Sequence, residues 1–263
     1  MELPKKQVDI CFSPALYPYY ATEDSIVVVI DVLRATSVMC IAFEYGVDKI
    51  LPLASEEETL SYRSKGYLVA GERDGEELAN FDFGNSPFSY MTPEIKGKKI
   101  AITTTNGTLA IDVARNAYKV AVGSFLNFDA IVNWAIEQDR NVLLLCAGWR
   151  HKFNFEDAIF AGAVAERLIK TGQYETSSDS VFVGIQLYNS AKKDMFSFLR
   201  KSSHRIRLKK LNLKKEIKFC FTINKTDIVP VLEDNHLVNG GKFKTSKAKK
   251  SIEKSYNMTN SIA

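Results

Sequence analysis

The chain alternates between short apolar runs and longer segments that have the periodicity of a helix. The clearest run is Ile26–Ile30, five β-branched residues that Asp31 follows directly. A run of this kind predicts a strand that is buried on both faces. The segment from Ala35 to Tyr45 then predicts a helix, which Gly46 closes. Strand and helix follow one another in this way along most of the first 170 residues.

The same pattern predicts further elements. Strands are expected at 49–53, 68–72, 100–103, 120–122 and 141–146, and helices at 109–116, 127–137 and 156–171, with another beginning at 55–58. Alternating strands and helices predict an α/β fold. We expect a mostly parallel or mixed sheet with helices on both faces, in α/β/α layers.

The pattern weakens between 185 and 235. Ile217–Ile223 alternates like a half-exposed strand, and 226–232 predicts a loop and a short strand. From residue 241 to residue 263 the chain is basic and polar, and we expect a surface tail or a disordered segment. The remainder, 1–240, is expected to form one domain, built as a single unit or as two α/β lobes.

Composition places the chain among ordinary globular proteins, with 46% hydrophobic and 25% charged residues. No apolar run approaches the roughly 20 residues of a membrane span, and the first six residues lack the apolar core of a signal peptide. The four cysteines form no C-x-x-C pair, which indicates reduced thiols. We therefore expect a cytoplasmic protein without a membrane partner, and leave open whether it forms a homo-oligomer.

Charge is unevenly distributed along the chain. Residues 192–254 carry 18 Lys and Arg against six Asp and Glu, whereas the remaining residues carry 17 against 25. The acidic part suits a site for a divalent cation. The basic part would suit nucleic acid, but no nucleic-acid-binding motif accompanies it, so a solvated basic surface is the simpler interpretation.

A turn rich in hydroxyl groups, Thr103–Thr108, lies between a predicted strand and a predicted helix. Free N–H groups at a helix start and the positive end of the helix dipole both attract phosphate. The turn is not a Walker loop, because it has no lysine and its glycine spacing differs. We expect a phosphate or a similar oxyanion here, bound by Thr103, Thr104, Thr105, Asn106 and Gly107.

Polar residues also follow the other predicted strands, at the edge where parallel sheets gather their ligands. Asp31 and Glu72 are candidate ligands for a metal ion. Asp31 could instead cap a helix or attack phosphorus as a nucleophile. Arg34 and Arg73 could clamp an oxyanion through paired N–H groups, or form ordinary ion pairs. Two further candidates for contacts at this edge are Ser124 and Gly148.

Two known phosphatase chemistries do not fit the sequence. The haloacid-dehalogenase type needs a second aspartate two residues after the first, where Leu33 stands. The cysteine type needs an arginine six residues after the nucleophile, and Lys152 occupies that position relative to Cys146. We therefore interpret Cys146 as a small buried residue. No spaced ligand set is formed by His151, His204 and His236.

Two further segments carry candidate polar groups. Phe81–Pro87 combines aromatic residues with turn formers, which predicts a lid or a pocket wall with Asp82, Asn85 and Ser86 as polar contacts. Glu156 and Asp157 begin a predicted helix, where acids either cap the helix or bind a cation.

These motifs occur together, and in the same order, in one known family. They are Asp31–Thr36, Gly71–Arg73, Phe83–Pro87, Thr103–Thr108, Cys146–Gly148 and Glu156–Ala158. On these motifs the chain resembles the 2-phosphosulfolactate phosphatase (ComB) family, from about Val8 to Leu232. The resemblance implies Mg²⁺-dependent hydrolysis of (R)-2-phospho-3-sulfolactate to 3-sulfolactate and phosphate, a step that serves coenzyme M synthesis in some organisms.

The resemblance also implies roles for the candidate residues. Asp31, Glu72 and Asp157 match the acids of the family motifs and become candidate catalytic residues. Asp31 and Glu72 are the candidate ligands for Mg²⁺, although the spacing does not assign which acid is ligand and which is base. A small anionic substrate with phosphate, sulfonate and carboxylate groups would need many donors. The candidate donors are Arg34, Arg73, Asn85, Thr103, Thr104, Thr105, Asn106, Gly107, Ser124 and Gly148.

One segment departs from the family pattern. Trp149–Lys152 follows Gly148, where the family has a threonine and a glycine-rich turn. This change places bulk and positive charge beside the expected site. Two alternatives therefore stay open: a phosphatase for another phospho-acid, and a non-catalytic α/β protein that binds a small phosphorylated acid.

Overall fold

The computed structural model describes residues 4–20 and 23–243. Within these ranges the chain forms strands and helices in alternation. The strands are β1 Lys6–Cys11, β2 Ile26–Ile30, β3 Lys49–Leu53, β4 Leu68–Arg73, β5 Glu76–Glu77, β6 Lys99–Thr103, β7 Lys119–Gly123, β8 Val142–Cys146, β9 Tyr174–Glu175, β10 Ile228–Glu233 and β11 His236–Lys242. The α-helices are α1 Ala35–Glu44, α2 Glu56–Ser61, α3 Gly107–Val113, α4 Phe128–Gln138, α5 Phe155–Ile169, α6 Asp179–Ala191, α7 Met195–Phe198, α8 Ser203–Lys210 and α9 Lys214–Cys220.

The described strands form one mixed sheet in the order β5-β4-β6-β3-β11-β10-β7-β2-β8-β1-β9. Strands β7, β2, β8, β1 and β9 are parallel to one another, and so are β4, β6 and β3. The antiparallel hairpin β10–β11 joins these two blocks. The predicted α/β fold with a mostly parallel or mixed sheet is confirmed.

The hairpin reverses the direction of the sheet. Three successive antiparallel pairings separate β7 from β3, so the two parallel blocks run in opposite directions. The twist compensates, because each neighbouring strand is rotated by roughly 20 to 25°. At this typical twist, the six steps from β2 to β4 add up to about 120 to 150°, enough to bring the carboxyl ends of the two blocks towards one side.

Helices cover both faces of the sheet, as β2 shows. Ile26, Val28 and Ile30 belong to one core, with residues of α4 and α5. Val27 and Val29 belong to a second core, with residues of α1 and α3. Alternate side chains of one strand thus enter two separate apolar layers, which explains why the run contains no polar residue.

Two predictions about the later part of the chain need correction. Residues of Ile217–Ile223 were expected to form a strand, but α9 covers Lys214–Cys220. Ile217 and Cys220 are both buried and lie three residues apart, which is the spacing of a helical face. Strand β11 extends to Lys242, two residues into the predicted tail. Residues 244–263 of that tail lie outside the described residues.

Two expectations from composition concern membrane spans and cysteines. None of the helices in the described ranges combines the length and the apolar character that crossing a membrane would require. The four cysteines are free and buried, as expected for thiols that form no disulfide. They are Cys11, Cys40, Cys146 and Cys220.

Helices α5 and α6 pack closely where Gly162 faces Gly184, and substitutions at these two glycines test the packing. A Cβ added to Gly162 would lie 1.9 Å from the carbonyl oxygen of Gly184, whereas a Cβ on Gly184 would meet Cδ1 of Ile10 at 2.6 Å. Backbone cannot move aside as a side-chain end can. We expect Gly162→Ala to lower the free energy of unfolding by about 3 kcal/mol or more, and Gly184→Ala by about 1 kcal/mol or less. Equilibrium denaturation measures both variants, and equal losses would contradict the described contact.

Candidate active site

A small cavity lies where the segments that follow β2, β6 and β8 meet the end of β4 and helix α8. Its lining consists of Asp31, Leu33, Arg34, Glu72, Gly75, Asn85, Asn106, Trp149, His204 and Leu208. The space inside is about 10 Å³, room for no more than one water molecule. Predicted site residues from four separate motifs therefore share one cavity: Asp31, Arg34, Glu72, Asn85 and Asn106.

Asp31 enters the cavity directly after β2. Its carboxylate accepts one long hydrogen bond, from the N–H of Ala35 at 3.4 Å. Burial raises the pKa of Asp31 well above its usual value, the nearby Asp157 carboxylate raises it further, and His204 acts in the opposite direction. A buried acid with a perturbed pKa inside a cavity is a marker of a functional site.

The turn after β6 closes on Asp31 because residue 107 is a glycine. A Cβ at Gly107 would lie 2.9 Å from Oδ2 of Asp31 and 2.6 Å from Cβ of Ala35. Any side chain at this position would push the turn away from the acid. The lack of a side chain at Gly107 therefore allows the backbone of the turn to lie close to the carboxylate of Asp31.

Glu72 is held by donors from two loops. Its carboxylate accepts hydrogen bonds from the N–H of Gly75 at 2.6 Å, from the N–H of Thr105 at 2.7 Å and from Oγ1 of Thr105 at 3.2 Å. The neighbouring N–H groups of Thr104 and Thr108 are paired with each other's hydroxyl oxygens. The threonine turn thus orients an acid, and these donors are not free to bind an anion.

Asp157 is fully buried behind the cavity, in the first turn of α5. Its carboxylate accepts from the N–H of Val32 at 2.9 Å, the N–H of Gly148 at 3.1 Å and Nδ2 of Asn154 at 2.9 Å. Burial raises the pKa of Asp157 to about 8, the charge of Glu156 raises it too, and the three donors lower it. Asp157 joins the ends of β2 and β8 and does not line the cavity.

Gly148 contributes backbone conformation at the same junction. Its φ is +64°, in the left-handed region that favours glycine, and a Cβ would lie 2.3 Å from the carbonyl oxygen of Lys152. Its N–H is already donated to Asp157. Gly148 shapes the loop after β8 without a free donor for a substrate.

Arg34 and Asn85 connect the cavity to a larger one. Nη2 of Arg34 donates to the carbonyl oxygen of Gly75 at 3.2 Å, and burial lowers the pKa of its guanidinium. Oδ1 of Asn85 is buried and has no hydrogen-bond partner among the described residues. Both side chains also line an adjoining cavity of about 270 Å³, which Ser86 borders as well.

Two predicted residues, Arg73 and Ser124, lie away from this cavity. Arg73 donates to Oγ1 of Thr103 at 2.9 Å and forms an ion pair with Glu56 at 3.1 Å, so its guanidinium is engaged on the far side of β4. Ser124 is fully buried and caps a turn, with its Oγ accepting from the N–H of Leu126 at 3.2 Å. Asn106, in contrast, lines the cavity, and its Oδ1 accepts from the N–H of Arg150 at 2.8 Å.

Two further predictions concern Cys146, interpreted as a small buried residue, and the segment Phe81–Pro87, predicted as a lid or a pocket wall. Burial raises the pKa of Cys146 well above its usual value, so the thiol stays protonated and is a poor nucleophile. This agrees with its interpretation as a small buried residue. Asn85 and Ser86 border the cavities, whereas Asp82 pairs with Arg63 and with the N–H of Val69.

The sequence pattern did not reveal a carboxylate–imidazole pair at the cavity. Nδ1 of His204, on α8, hydrogen-bonds Oε1 of Glu156, on α5. His204 had been considered only for metal-ligand spacing, and the two residues are 48 positions apart. Trp149 packs against the His204 ring at 5.3 Å between centroids, and the Arg207 guanidinium lies 3.9 Å over the Trp149 ring. No sequence signal links α8 to this site.

The acids of the cavity form a small oxygen-rich donor set. In residues 4–20 and 23–243, no group of three or more His, Cys, Asp or Glu side chains is arranged to hold a metal ion. Asp31 and Glu72 nevertheless line the same cavity as Oδ1 of Asn85, a buried acceptor that has no partner in the described chain. Two carboxylates with a neutral amide oxygen are ligands of the kind that a hard divalent cation prefers.

Comparison with known proteins agrees with the motifs. A family profile described as 2-phosphosulpholactate phosphatase matches residues 11–235. Three relatives carry the name probable 2-phosphosulfolactate phosphatase. The protein from Caldanaerobacter subterraneus subsp. tengcongensis is 36% identical over 212 residues, 79% of this chain and 88% of the relative. The Thermotoga petrophila protein is 36% identical over 225 residues (86% and 95%), and the Clostridium novyi protein 33% over 227 residues (85% and 96%).

The profile covers the strands and helices that build the cavity, including α8. The family expected from the motifs is confirmed, and so is the enzyme class. The chain belongs to the 2-phosphosulfolactate phosphatase family, a family of phosphoric monoester hydrolases.

Proposed function

We propose that this protein is a Mg²⁺-dependent phosphatase that hydrolyses 2-phosphosulfolactate to 3-sulfolactate and phosphate. Family membership supports the reaction. The observation that carries the site is the shared cavity of Asp31, Glu72 and Arg34, in which two acids and one buried guanidinium from two separate segments line one small space. Phosphoryl transfer requires this charge pattern: acids that hold a metal ion, and a positively charged side chain that binds the phosphoryl group.

Asp31 and Glu72 would hold Mg²⁺, with Oδ1 of Asn85 as a further oxygen. The unpartnered acceptor at Asn85 and the weakly paired carboxylate of Asp31 fit such an ion. When bound, the ion neutralises charge on the phosphoryl oxygens. Glu72 is oriented for this task by Thr105 and Gly75, and outer partners of this kind usually matter for the affinity of a metal site.

Arg34 and the adjoining cavity would receive the rest of the substrate. The inner cavity holds no more than one water molecule, so a phosphoryl group enters only when the residues that line it move apart. The outer cavity of about 270 Å³ has room for a three-carbon acid. Arg34 borders both spaces and can contact the phosphoryl group and a second acidic group of the same molecule.

One observation favours a second candidate, a phosphatase for another phospho-acid. Glu76 and Glu77 also line the outer cavity, and their carboxylates repel a sulfonate or carboxylate placed there. A substrate with fewer negative groups would avoid this repulsion. Coenzyme M synthesis as the pathway, a cytoplasmic location and a homo-oligomer stay predictions.

A panel assay tests the reaction and separates the candidates. Phosphate release is measured from 2-phosphosulfolactate, 2-phospholactate and 3-phosphoglycerate, each with Mg²⁺ and with EDTA. We expect the highest kcat/KM for 2-phosphosulfolactate and loss of release in EDTA, restored by added Mg²⁺. Full activity in EDTA contradicts the metal proposal. Binding that raises the Tm without turnover would favour the non-catalytic alternative.

Replacing Asp31 should separate activity from stability. Asp31→Asn removes a buried, weakly paired charge beside Asp157, so we expect the Tm to stay level or rise by a few degrees. Phosphate release should fall about a hundredfold or more, because an amide is a poor ligand for Mg²⁺. Thermal unfolding and kcat are measured together, with the exposed acid Glu57→Gln as control. A large fall in Tm would instead make Asp31 a structural residue.

The hydroxyl of Thr105 gives a finer test of the orientation of Glu72. Thr105→Val removes the 3.2 Å bond from Oγ1 to Glu72 and the acceptor for the N–H of Asp74. We expect the Mg²⁺ concentration for half-maximal activity to rise roughly tenfold. Thr105→Ser keeps the hydroxyl and should stay near the wild-type value. Identical Mg²⁺ dependence in the two variants would show that this bond does not orient the acid.

A further inference from the structure

The Glu156–His204 pair is a group of the cavity that the proposed function leaves without a role. His204 lines the same space as Asp31, and its Nδ1 bonds Oε1 of Glu156. Its Nε2 has no hydrogen-bond partner in the described parts of the chain. Glu156 is fully buried, and its second carboxylate oxygen, Oε2, has no partner there either.

A purely structural role explains this pair poorly. Burying a carboxylate and an imidazole costs desolvation free energy, and an apolar pair of similar size would fill the space at least as well. The unpartnered Oε2 adds to that cost. The arrangement does achieve one thing: a carboxylate at Nδ1 fixes the orientation of the ring and leaves Nε2 as the available nitrogen.

The packing around His204 holds the ring in that orientation. Trp149 lies against the imidazole at 5.3 Å between centroids, and Arg207 in turn packs on Trp149. Glu156 lies in the first turn of α5, where the helix dipole stabilises a negative charge. The imidazole is therefore confined by an aromatic ring and by an anchored carboxylate.

The reaction of an alkyl phosphate requires a proton donor. Cleavage of the ester bond leaves an alkoxide, which is a poor leaving group unless it receives a proton as the bond breaks. Arg34 does not give up its proton, and Asp31 and Glu72 are assigned to the cation. Of the side chains that line the cavity in the described residues, His204 remains as the group able to carry a proton to the ester oxygen.

We propose that His204 is the general acid of this site, with Glu156 as its positioning residue. The inference rests on the proposed function. The phosphorus–oxygen bond of the ester breaks, and phosphorus takes the oxygen of a water molecule. His204 gives the proton on Nε2 to the leaving oxygen, which becomes the hydroxyl of the product. A proton released from the attacking water restores His204 through solvent, so that ester and water yield alcohol and phosphate.

The test compares esters that differ in leaving group. Wild type and His204→Gln are assayed with Mg²⁺ on 2-phosphosulfolactate and 2-phospholactate, whose alkoxides need a proton, and on phosphoenolpyruvate and p-nitrophenyl phosphate, whose anions leave more readily. We expect kcat on the alkyl esters to fall about a hundredfold or more. The fall on the better leaving groups should be at least tenfold smaller, while KM and Tm stay near wild type.

Two further variants complete the design. Glu156→Gln should lose roughly tenfold in kcat with the same dependence on leaving group, since it disturbs only the orientation of the ring. His236→Gln is the matched control, because its imidazole bonds Tyr67 outside the cavity. It should keep wild-type activity on every ester.

Each outcome is decisive. Activity of His204→Gln within threefold of wild type, or an equal loss on all esters together with a lower Tm, overturns the proposal. If wild type hydrolyses no ester with a good leaving group, reduced kcat at unchanged KM and Tm on 2-phosphosulfolactate supports it, and unchanged kcat overturns it. If wild type hydrolyses none of the esters, the proposed function fails and the proposed role of His204 fails with it. If wild type and His204→Gln are both active, only the proposed role of His204 fails, and the proposed function stands.

Discussion

Burial of several carboxylates around one small space is the constraint on which this site depends. Glu72 and Asp157 each accept three hydrogen bonds, which offset part of their lost hydration, although burial still raises the pKa of Asp157 to about 8. Asp31 accepts one long bond, and burial raises its pKa accordingly. The site is therefore short of positive charge at Asp31. The surrounding acids are fixed by donors, so Asp31 is the position where a cation or a proton is most needed.

The loops that hold these acids belong to two blocks of sheet that run in opposite directions. Asp31 follows β2 in one block, while Glu72 and the threonine turn belong to β4 and β6 in the other. The hairpin β10–β11 connects the blocks by pairing with β7 and β3. The cavity consequently depends on the last described strands of the chain, although no residue of either strand lines it.

The sequence predicts those features that local patterns determine. The run Ile26–Ile30 identifies β2 because both faces of that strand are buried. Polar residues after strands and the family motifs locate Asp31, Arg34 and Glu72. Local pattern fails at Ile217, where a short window satisfies both the strand period and the helix period. It also fails at β1, since Lys6, Gln7 and Asp9 interrupt its apolar residues.

Partnerships between distant residues lie beyond such patterns. Nothing in the threonine turn shows that its donors are used by Glu72, 33 positions earlier in the chain. The hydroxyl-rich composition predicts a pocket for a bound anion. In the folded chain, the carboxylate of Glu72 accepts the hydrogen bonds of Thr105 that such an anion would need. The Glu156–His204 pair is equally invisible, because its residues lie on separate helices, and their meeting depends on where the fold places α8 relative to α5.

The basic stretch after residue 192 is interpreted from the sequence as a solvated surface, but one of its helices, α8, also contributes residues to the cavity. One face of this helix carries His204 and Leu208 into the cavity, whereas Ile206 and Lys209 face outward. Arg207, on α8, stacks on the ring of Trp149, which itself lines the cavity. The outward cations attract anionic esters to this face, while the inward residues leave room for no more than one water. A ligand larger than water therefore reaches Asp31 only when the residues that line the cavity, those of α8 among them, move apart.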